Sequence, residues 1–301
     1  MAVDQIIRRF SLILEKLERK TYPSIKELHR FVLGHGIEVT QRTIERDIEK
    51  LRYEFGVSII SDDEDHRYYI DIENSRNYQN LLNLIEIAVT ADVFGEPSKE
   101  KENLEYISFE HQGSLKGINQ LKPILQAIKE NRKITFNHYN FHSNKTKKYT
   151  IKPYLLKEYL GRWYVVGLIG PIKEFRTFGI ERIIDLEMQT AQFKREPDLD
   201  PVRDFRHIIG LTYSLGQKEK VVLSFTPTQG QYIKSLPLHS SQKELVNNEE
   251  EYRIELDIIP NFEFKHRVLS YGDTVKVLEP ESLVQDIRNT LERMMSKYNE
   301  Q

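Results

Sequence analysis

Four side chains that could hold an anion or a base lie within one β-like stretch, residues 161–183. This stretch reads GRWYVVGLIGPIKEFRTFGIERI and contains Trp163, Tyr164, Arg176 and Arg182. Guanidinium groups bind phosphates and aromatic faces stack on bases, and sites for single-stranded nucleic acid combine the two. Because side chains alternate along a strand, Trp163 and Tyr164 should point to opposite faces, so that one contacts a ligand while the other packs.

The second half of this stretch predicts an anion site that is partly apolar. Alternation places Arg176, Phe178, Ile180 and Arg182 on one face of a strand, provided that no bulge occurs at Gly179. Two arginines beside two apolar residues are unusual on a purely buried surface. We therefore interpret both arginines as ligand-binding residues.

A structural explanation of the same residues is also open. Arg182 could pair with a neighbouring carboxylate, Glu181 or Asp185, and so brace the sheet. Trp163 is the only tryptophan of the chain, and tryptophan is highly buried on average. In this interpretation Trp163 belongs to the core and Arg182 binds no ligand.

The distribution of charge favours an anionic partner for the central part of the chain. The 301 residues together carry a net charge of -2. Residues 116–195 nevertheless hold 16 Lys and Arg against 6 Asp and Glu, whereas residues 1–73 hold 12 against 15. A local excess of positive charge of this size indicates an anionic partner for residues 116–195.

The elements that must position these residues are strands. After a helix over about 118–131, the sequence contains five strand-like segments: KITFNHYNF, KKYTIKPYLLKEYL, RWYVVGLI, KEFRTFGIERI and IDLEMQTAQF. Successive short strands predict a small, strongly curved β-barrel over residues 116–195. Residues 196–301 alternate strands and helices and predict a small α+β domain. The fold class is therefore multidomain α+β.

Residues 1–73 predict three helices followed by a β-hairpin, which is the element order of a winged helix-turn-helix domain. Ser24 and Glu27 have the spacing of a capping box at the start of the second helix. Thr40 is the predicted N-cap of the third helix. These local signals fix where both helices begin.

The third predicted helix has a buried stripe of Ile44, Ile48 and Leu51, and the opposite face carries Arg42 and Arg46. Such a face could enter the major groove, where arginine reads guanine and contacts phosphates. The alternative is an ordinary solvated helix face, which the acidity of the segment favours. The predicted DNA-binding residues are Thr40, Gln41, Arg42, Thr43, Arg46, Lys50 and Tyr53.

Two further helices could mediate contacts between copies of the chain. Residues 74–115 predict a helical linker that contains an apolar helix over 78–94 and polar sequence over 96–114. A last helix over 281–298 also carries an apolar stripe. Each helix could pack within the chain or against a partner subunit, and the sequence does not separate these alternatives.

Several functions are disfavoured by what the sequence lacks. It has no cysteine, no phosphate loop and no G-x-S-x-G motif. His138 and His142 have no carboxylate between them and lie in strand-like or loop-like sequence, unlike the helical H-E-x-x-H site. No apolar run approaches the roughly 20 residues that span a bilayer, and MAVDQIIRRF is not a signal peptide. We expect a cytoplasmic protein without catalytic activity, cofactor, metal or membrane partner.

The sequence resembles the bacterial WYL-domain transcriptional regulators. Trp163, Tyr164 and Val165 stand where the family has the Trp-Tyr-Leu that names it. Residues 152–155, KPYL, and residues 175–183, FRTFGIERI, look like its proline-led and arginine-rich strands, and Phe136 and Tyr139 look like its second-strand aromatics. The stretch YGDTVKVLEPESLVQDIRNTLERMMSKY looks like the C-terminal extension that follows many WYL domains.

The resemblance implies a ligand-responsive transcription factor with a winged helix-turn-helix over 1–73, an Sm-like or SH3-like barrel over 116–195 and a dimerising extension over 196–301. It further implies an effector that is a nucleic-acid fragment or nucleotide-like anion. The ligand-binding residues carried over are Tyr154, Trp163, Tyr164, Arg176 and Arg182.

Three functional hypotheses follow. The first is a homodimeric regulator that binds double-stranded DNA and responds to this effector. The second is an RNA- or single-stranded-DNA-binding module in which the barrel carries the main function and the winged helix is accessory. The third is a scaffold with a degenerate DNA-binding domain, which the acidity of residues 1–73 suggests.

Overall fold

A computed structural model describes residues 2–62, 66–72, 74–75, 78–94, 116–141, 143–170, 174–213 and 216–299. The chain divides into two compact units, Met1–Glu110 and His111–Gln301. Within the described ranges, no helix is both long enough and apolar enough to cross a membrane. The predicted polar sequence over 96–114 and His142 lie outside the described residues.

The described residues of the first unit form four helices and a two-stranded antiparallel hairpin. The elements are α1 (Ala2–Glu18), α2 (Ile25–Gly34), α3 (Gln41–Tyr53), β1 (Ile59–Ser61), β2 (Tyr68–Ile70) and α4 (Tyr78–Phe94). The predicted capping box is present, because the Ser24 hydroxyl accepts the Glu27 N–H and the Glu27 carboxylate accepts the Ser24 N–H. The predicted order of three helices and a hairpin is confirmed as secondary structure.

One apolar core holds the first unit together. The predicted stripe of α3 lies in it, and so does the inner face of α4, which packs on α1 through Tyr78, Leu81 and Ile85. The helix that the sequence assigns to a linker is therefore part of the first compact unit. Its opposite face leaves Leu84 and Ile87 exposed.

A buried ion pair joins α1 to α3. The Arg9 Nε donates to the Asp47 carboxylate over 2.6 Å, and Arg9 Nη2 donates to its second oxygen over 3.2 Å. Both side chains are almost fully buried, at 7% and 1% exposed. Asp47 lies on the same side of α3 as the apolar stripe, where the sequence pattern predicts only hydrophobic residues. The fold thus fixes α3 to α1 by a charged contact as well as by apolar packing.

The second unit begins with α5 (Leu121–Lys129) and a five-stranded antiparallel sheet. The strands are β3 (Arg132–Asn140), β4 (Lys145–Tyr159), β5 (Arg162–Ile169), β6 (Phe175–Gly179) and β7 (Ile183–Gln192). Their order across the sheet is β6-β5-β4-β3-β7. The five predicted strands are confirmed. In the described residues β6 and β7 do not pair, so the sheet is not closed and the predicted β-barrel is not confirmed.

The sheet is nevertheless strongly curled. The ring of Phe178 on β6 lies 5.2 Å from that of His138 and 5.3 Å from that of Phe136, both on β3. Residues from β6 and β3 therefore meet in the interior although two strands separate them in the ladder. A 3₁₀ turn, Ile180–Arg182, lies between β6 and β7.

The sheet has an apolar cluster on each side. One contains Ile124 and Ala127 of α5 together with Phe136 and Phe178. The other contains Tyr154, Val166 and Phe175 and is completed by the segment after β7, including Phe193 and Phe205. This segment contains a short helix, α6 (Pro201–Asp204), and leads to the last part of the chain.

The last part is an α+β arrangement, as predicted. It contains β8 (Glu219–Phe225), α7 (Pro227–Ser235), β9 (Lys243–Asn247), β10 (Tyr252–Ile258), α8 (Phe262–Ser270), β11 (Val275–Glu279) and α9 (Glu281–Asn299). The strand order is β11-β8-β10-β9, all antiparallel. The edge strand β9 was not predicted, because KELVN is short and mostly exposed. The second half of α9 leaves Leu291, Met294, Met295 and Tyr298 exposed.

Candidate functional site

Helix α3 presents the first candidate surface. Its buried face consists of Ile44, Ile48 and Leu51 with Asp47. On the opposite face Arg42 and Arg46 are exposed. A surface groove at the start of the helix is lined by Thr40, Arg42, Thr43, Glu45, Arg46 and Glu49.

The start of α3 is rigidly defined. The Thr40 hydroxyl accepts the Thr43 N–H over 3.2 Å, and the two hydroxyls lie 3.1 Å apart. Free backbone N–H groups and the helix dipole make a helix N-terminus favourable for anions. With Arg42 and Arg46 beside this N-terminus, the groove can accept a phosphate or the acceptor edge of a base. Glu45 and Glu49 lie in the same groove and oppose non-specific binding of anions.

The other predicted residues of α3 lie around this groove or near the end of the helix. Gln41 is exposed, Lys50 is half-buried, and Tyr53 is 84% exposed. Arg52, which was not predicted to bind DNA, turns towards the hairpin, where its Nε donates to the Ile59 carbonyl over 2.7 Å. This bond holds the hairpin against α3.

The second candidate surface lies at one end of the curled sheet. Trp163 is 38% exposed, so the interpretation that it belongs to the core is wrong. It lies opposite Glu158 on β4. By strand alternation Trp163 shares the face of Val165, and Tyr164 shares the face of Val166.

Tyr154 lies apart from this surface. It is the additional residue of a bulge on β4, where the pairing with β5 steps from Pro153 to Leu155. Its ring packs against Phe175 and Phe193, and its hydroxyl accepts the Glu196 N–H over 3.2 Å. A side chain that is only 3% exposed is part of the core.

The two predicted arginines do not continue one strand face. Arg176 lies on β6 opposite Gly167 and is exposed, and its guanidinium makes no hydrogen bond or ion pair with any residue that the structure describes. Arg182 is the last residue of the 3₁₀ turn, so alternation from β6 does not reach it. The prediction of a single strand face for both arginines is therefore wrong, and the interruption occurs directly after Gly179.

Arg182 lies between a carboxylate and an aromatic ring. Its Nε is 3.4 Å from Glu181 Oε1, which is the ion pair proposed as a structural alternative. Its guanidinium carbon lies 4.9 Å from the ring centre of Phe141, which is 61% exposed. Asp185, the other proposed partner, instead accepts a hydrogen bond from Asn137.

Tyr164 is the aromatic residue that belongs with Arg182. Tyr164 lies opposite Gly179 on β6. Burial raises the pKa of its hydroxyl, the charge of Glu181 raises it further, and Arg162 and Arg182 act in the opposite direction. Tyr164 therefore shares its surroundings with Glu181 and Arg182, whereas Trp163 lies on the other face of β5.

His138 is a residue of this region that sequence reasoning missed as a ligand-binding candidate. It is 6% exposed, and its ring packs between Phe136, Tyr149 and Phe178. Burial lowers its pKa, and the charge of Arg182 lowers it further. The signal was present as I-x-F-x-H in β3, which places a histidine on an apolar strand face.

No group of three or more potential metal-ligating side chains occurs among the residues described above.

Comparisons with known proteins identify two domains in the second unit. The WYL domain model matches residues 119–188, and the WCX domain model matches residues 217–295. No curated protein matches this chain.

Two solved structures are similar over most of the chain. Proteasome accessory factor B/C (PafBC) of Arthrobacter aurescens is 18% identical with a TM-score of 0.30, and the match covers 95% of this chain and 46% of that chain. This chain thus spans about half the length of PafBC. A CRISPR Cas-related protein is 14% identical with a TM-score of 0.39, and the match covers 97% and 85%. Both TM-scores are too low for structural inference. The matched domain models assign residues 119–188 to a WYL domain and residues 217–295 to a WCX domain.

Proposed function

We propose that this chain is a DNA-binding transcriptional regulator whose WYL domain senses a nucleic-acid fragment or a nucleotide-like anion. The observation that carries the proposal is the outward face of α3. There Arg42 and Arg46 line a groove at a capped helix start, directly opposite a fully buried stripe. In this proposal the first unit acts as a winged helix-turn-helix that inserts α3 into the major groove.

The WYL domain supplies the sensing part of the proposal. Its five-stranded sheet curls until residues of β6 meet residues of β3. Arg176 is exposed and available for a phosphate, while Phe141 and Trp163 present partly exposed rings on which a base can stack. The excess of positive charge over residues 116–195 favours an anionic ligand.

We further propose that the regulator is a homodimer. A two-fold assembly presents two α3 helices to paired half-sites. The apolar residues left exposed on α4 and on the end of α9 are the candidate contacts.

Selection of duplexes from a random-sequence pool tests the proposal, followed by affinity measurements on the selected site. Changing Arg42 and Arg46 to alanine should weaken binding by at least about 30-fold, because each base contact contributes about 1–3 kcal/mol and 1.4 kcal/mol corresponds to tenfold. The matched control is Lys122→Ala with Lys129→Ala on α5, two exposed positions whose replacement also removes two positive charges. Equal weakening by both double variants would show that α3 does not read the site.

A second candidate function is favoured by the exposed rings and Arg176 of the WYL domain. In this alternative the chain is an RNA- or single-stranded-DNA-binding module with an accessory first unit. Sequence-tolerant binding of single strands, unchanged by the two α3 substitutions, would support it. Site-specific duplex binding that depends on Arg42 and Arg46 would exclude it.

A further inference from the structure

Two buried polar atoms at the 3₁₀ turn make no hydrogen bond with any residue that the structure describes. They are Nε2 of His138 and Nε of Arg182. Arg182 Nε is within ion-pair distance of Glu181, at 3.4 Å, but not in hydrogen-bonding geometry. Buried polar groups in native proteins almost always have a partner, so two unsatisfied atoms in one region require an explanation such as a water or a ligand.

Both atoms belong to one cluster around Gly179. His138 lies opposite Ile183 on β7, the residue directly after Arg182, and the backbone of Gly179 acts to raise the pKa of its ring. A Cβ atom at position 179 would lie 2.7 Å from the Glu181 carboxylate oxygens and 2.9 Å from Arg182 Nη2. The absence of a side chain at Gly179 therefore allows Glu181 and Arg182 to approach the same point.

The two atoms have complementary roles. Because the backbone of Gly179 raises the pKa of the ring, it favours an N–H on the imidazole, which we assign to Nδ1 since Nε2 has no partner among the described residues. Burial and the nearby Arg182 keep the ring neutral, so Nε2 is an acceptor. Arg182 Nε is always a donor. A group that satisfies both must present a donor and an acceptor together.

Among the parts of a nucleic acid, the edge of a base has this pattern. Thymine, for example, carries an N–H donor next to carbonyl acceptors, whereas a phosphodiester offers only acceptors. The carboxylate of Glu181 beside Arg182 also disfavours a phosphate at this position. The exposed ring of Phe141, on which Arg182 lies, provides a stacking surface next to the pair.

We propose that His138 and Arg182 form a recognition pair for the edge of a nucleobase, which they reach when Arg182 moves away from Phe141. His138 is then a specificity-determining residue that separates base-bearing ligands from simple anions. This inference rests on the proposed sensing function and deepens it.

The test compares two fluorescent single strands of about 12 nucleotides, a length within the range of known single-strand sites. One strand carries thymines and the other is abasic throughout, so that both present the same phosphates. Wild-type protein should bind the thymine strand more tightly. His138→Phe preserves the aromatic packing but removes the acceptor. It should weaken binding of the thymine strand about tenfold and leave binding of the abasic strand unchanged. His138→Gln retains an acceptor, so it should lose less affinity for the thymine strand than His138→Phe does.

The proposal is overturned if the wild-type protein binds both strands with equal affinity or binds neither strand. It is also overturned if His138→Phe weakens the binding of both strands equally. Binding of the selected duplex is measured on the same preparations. If His138→Phe keeps duplex binding but shows no base-dependent loss, only the recognition pair fails. If wild type binds no duplex, the proposed regulator itself fails.

Discussion

At the scale of single residues, the buried pair of Arg9 and Asp47 is the most demanding contact of the first unit. Removing one partner leaves the other charge buried without compensation, so Arg9→Ala or Asp47→Ala should destabilise the unit by about 3–5 kcal/mol. The exposed pair of Arg19 and Glu15 is the matched control, and Arg19→Ala should cost less than about 1 kcal/mol.

Hydrogen exchange measured by mass spectrometry on peptides from α1 and α3 gives the free energy of opening of each helix in each variant. Similar protection in Arg9→Ala and Arg19→Ala would contradict the prediction. A loss confined to Arg9→Ala and Asp47→Ala would establish that α3 is held in place partly by this pair.

A second residue-scale prediction concerns pH. Burial lowers the pKa of both His138 and His239 from the ordinary value of 6.5. Both histidines are therefore neutral in the folded chain at pH values where the unfolded chain already binds protons. The stability that this provides is complete above about pH 6.5 and is lost as the pH falls towards the folded pKa values. Each histidine contributes a slope of at most about 1.4 kcal/mol per pH unit.

Urea unfolding followed by the fluorescence of Trp163 measures this slope, because the only tryptophan lies in the same unit as both histidines. His138→Phe should reduce the slope between pH 6.5 and 5. Carboxylates such as Asp257, whose pKa is also lowered, act below their ordinary value of 3.8 and do not contribute in this window. An unchanged slope in His138→Phe would refute the prediction.

At the scale of elements, Gly230 determines how closely α7 packs on β10. A Cβ atom at this position would lie 2.2 Å from the Cβ atom of Tyr252, which is closer than any real contact. Gly230→Ala should therefore destabilise the second unit by about 1–3 kcal/mol, despite the better helix propensity of alanine. Gln231→Ala, at the exposed neighbouring position, should stay within about 0.5 kcal/mol of wild type. Urea midpoints monitored through Trp163 decide the matter, and equal midpoints for the two variants would disprove it.

The elements also show where sequence reasoning succeeds. Capping signals at Ser24 and Thr40 and the apolar stripe of α3 are local, so helix starts and faces could be predicted. The failures depend on contacts between distant residues. The failures are the bulge at Tyr154, the turn after Gly179 and the open sheet edge. They concern how neighbouring strands pair and how the sheet curls until β6 meets β3, and alternation within one strand reveals neither.

The candidate site shows the same division. The outward position of Arg42 and Arg46 follows from helical periodicity alone. By contrast, the interpretation that places Trp163 in the core is wrong, because this residue lies near the end of a sheet and is partly exposed. Tyr154 is buried because the segment after β7 packs against it. His138 was overlooked because its significance comes from Gly179 and Arg182, which are about 40 residues away in sequence.

At the scale of the whole molecule, the proposed function requires that two sites influence each other. A ligand changes the activity of a regulator only if it binds one of two arrangements better than the other. Typical coupling free energies of about 1–3 kcal/mol correspond to a change in affinity of roughly 5- to 150-fold. A saturating thymine strand should therefore shift the affinity of the chain for its selected duplex by a factor in this range.

Linkage makes the prediction stringent, because the duplex must shift the affinity for the thymine strand by the same factor. Both titrations use the full chain at one salt concentration, since binding to phosphates depends strongly on salt. His138→Phe should lower the affinity for the thymine strand without altering the affinity for duplex alone. This variant therefore separates loss of sensing from loss of DNA binding. If neither nucleic acid changes the affinity for the other, the two units bind independently. If the thymine strand and the duplex compete, and this competition disappears when Arg42 and Arg46 are replaced, both nucleic acids bind to α3.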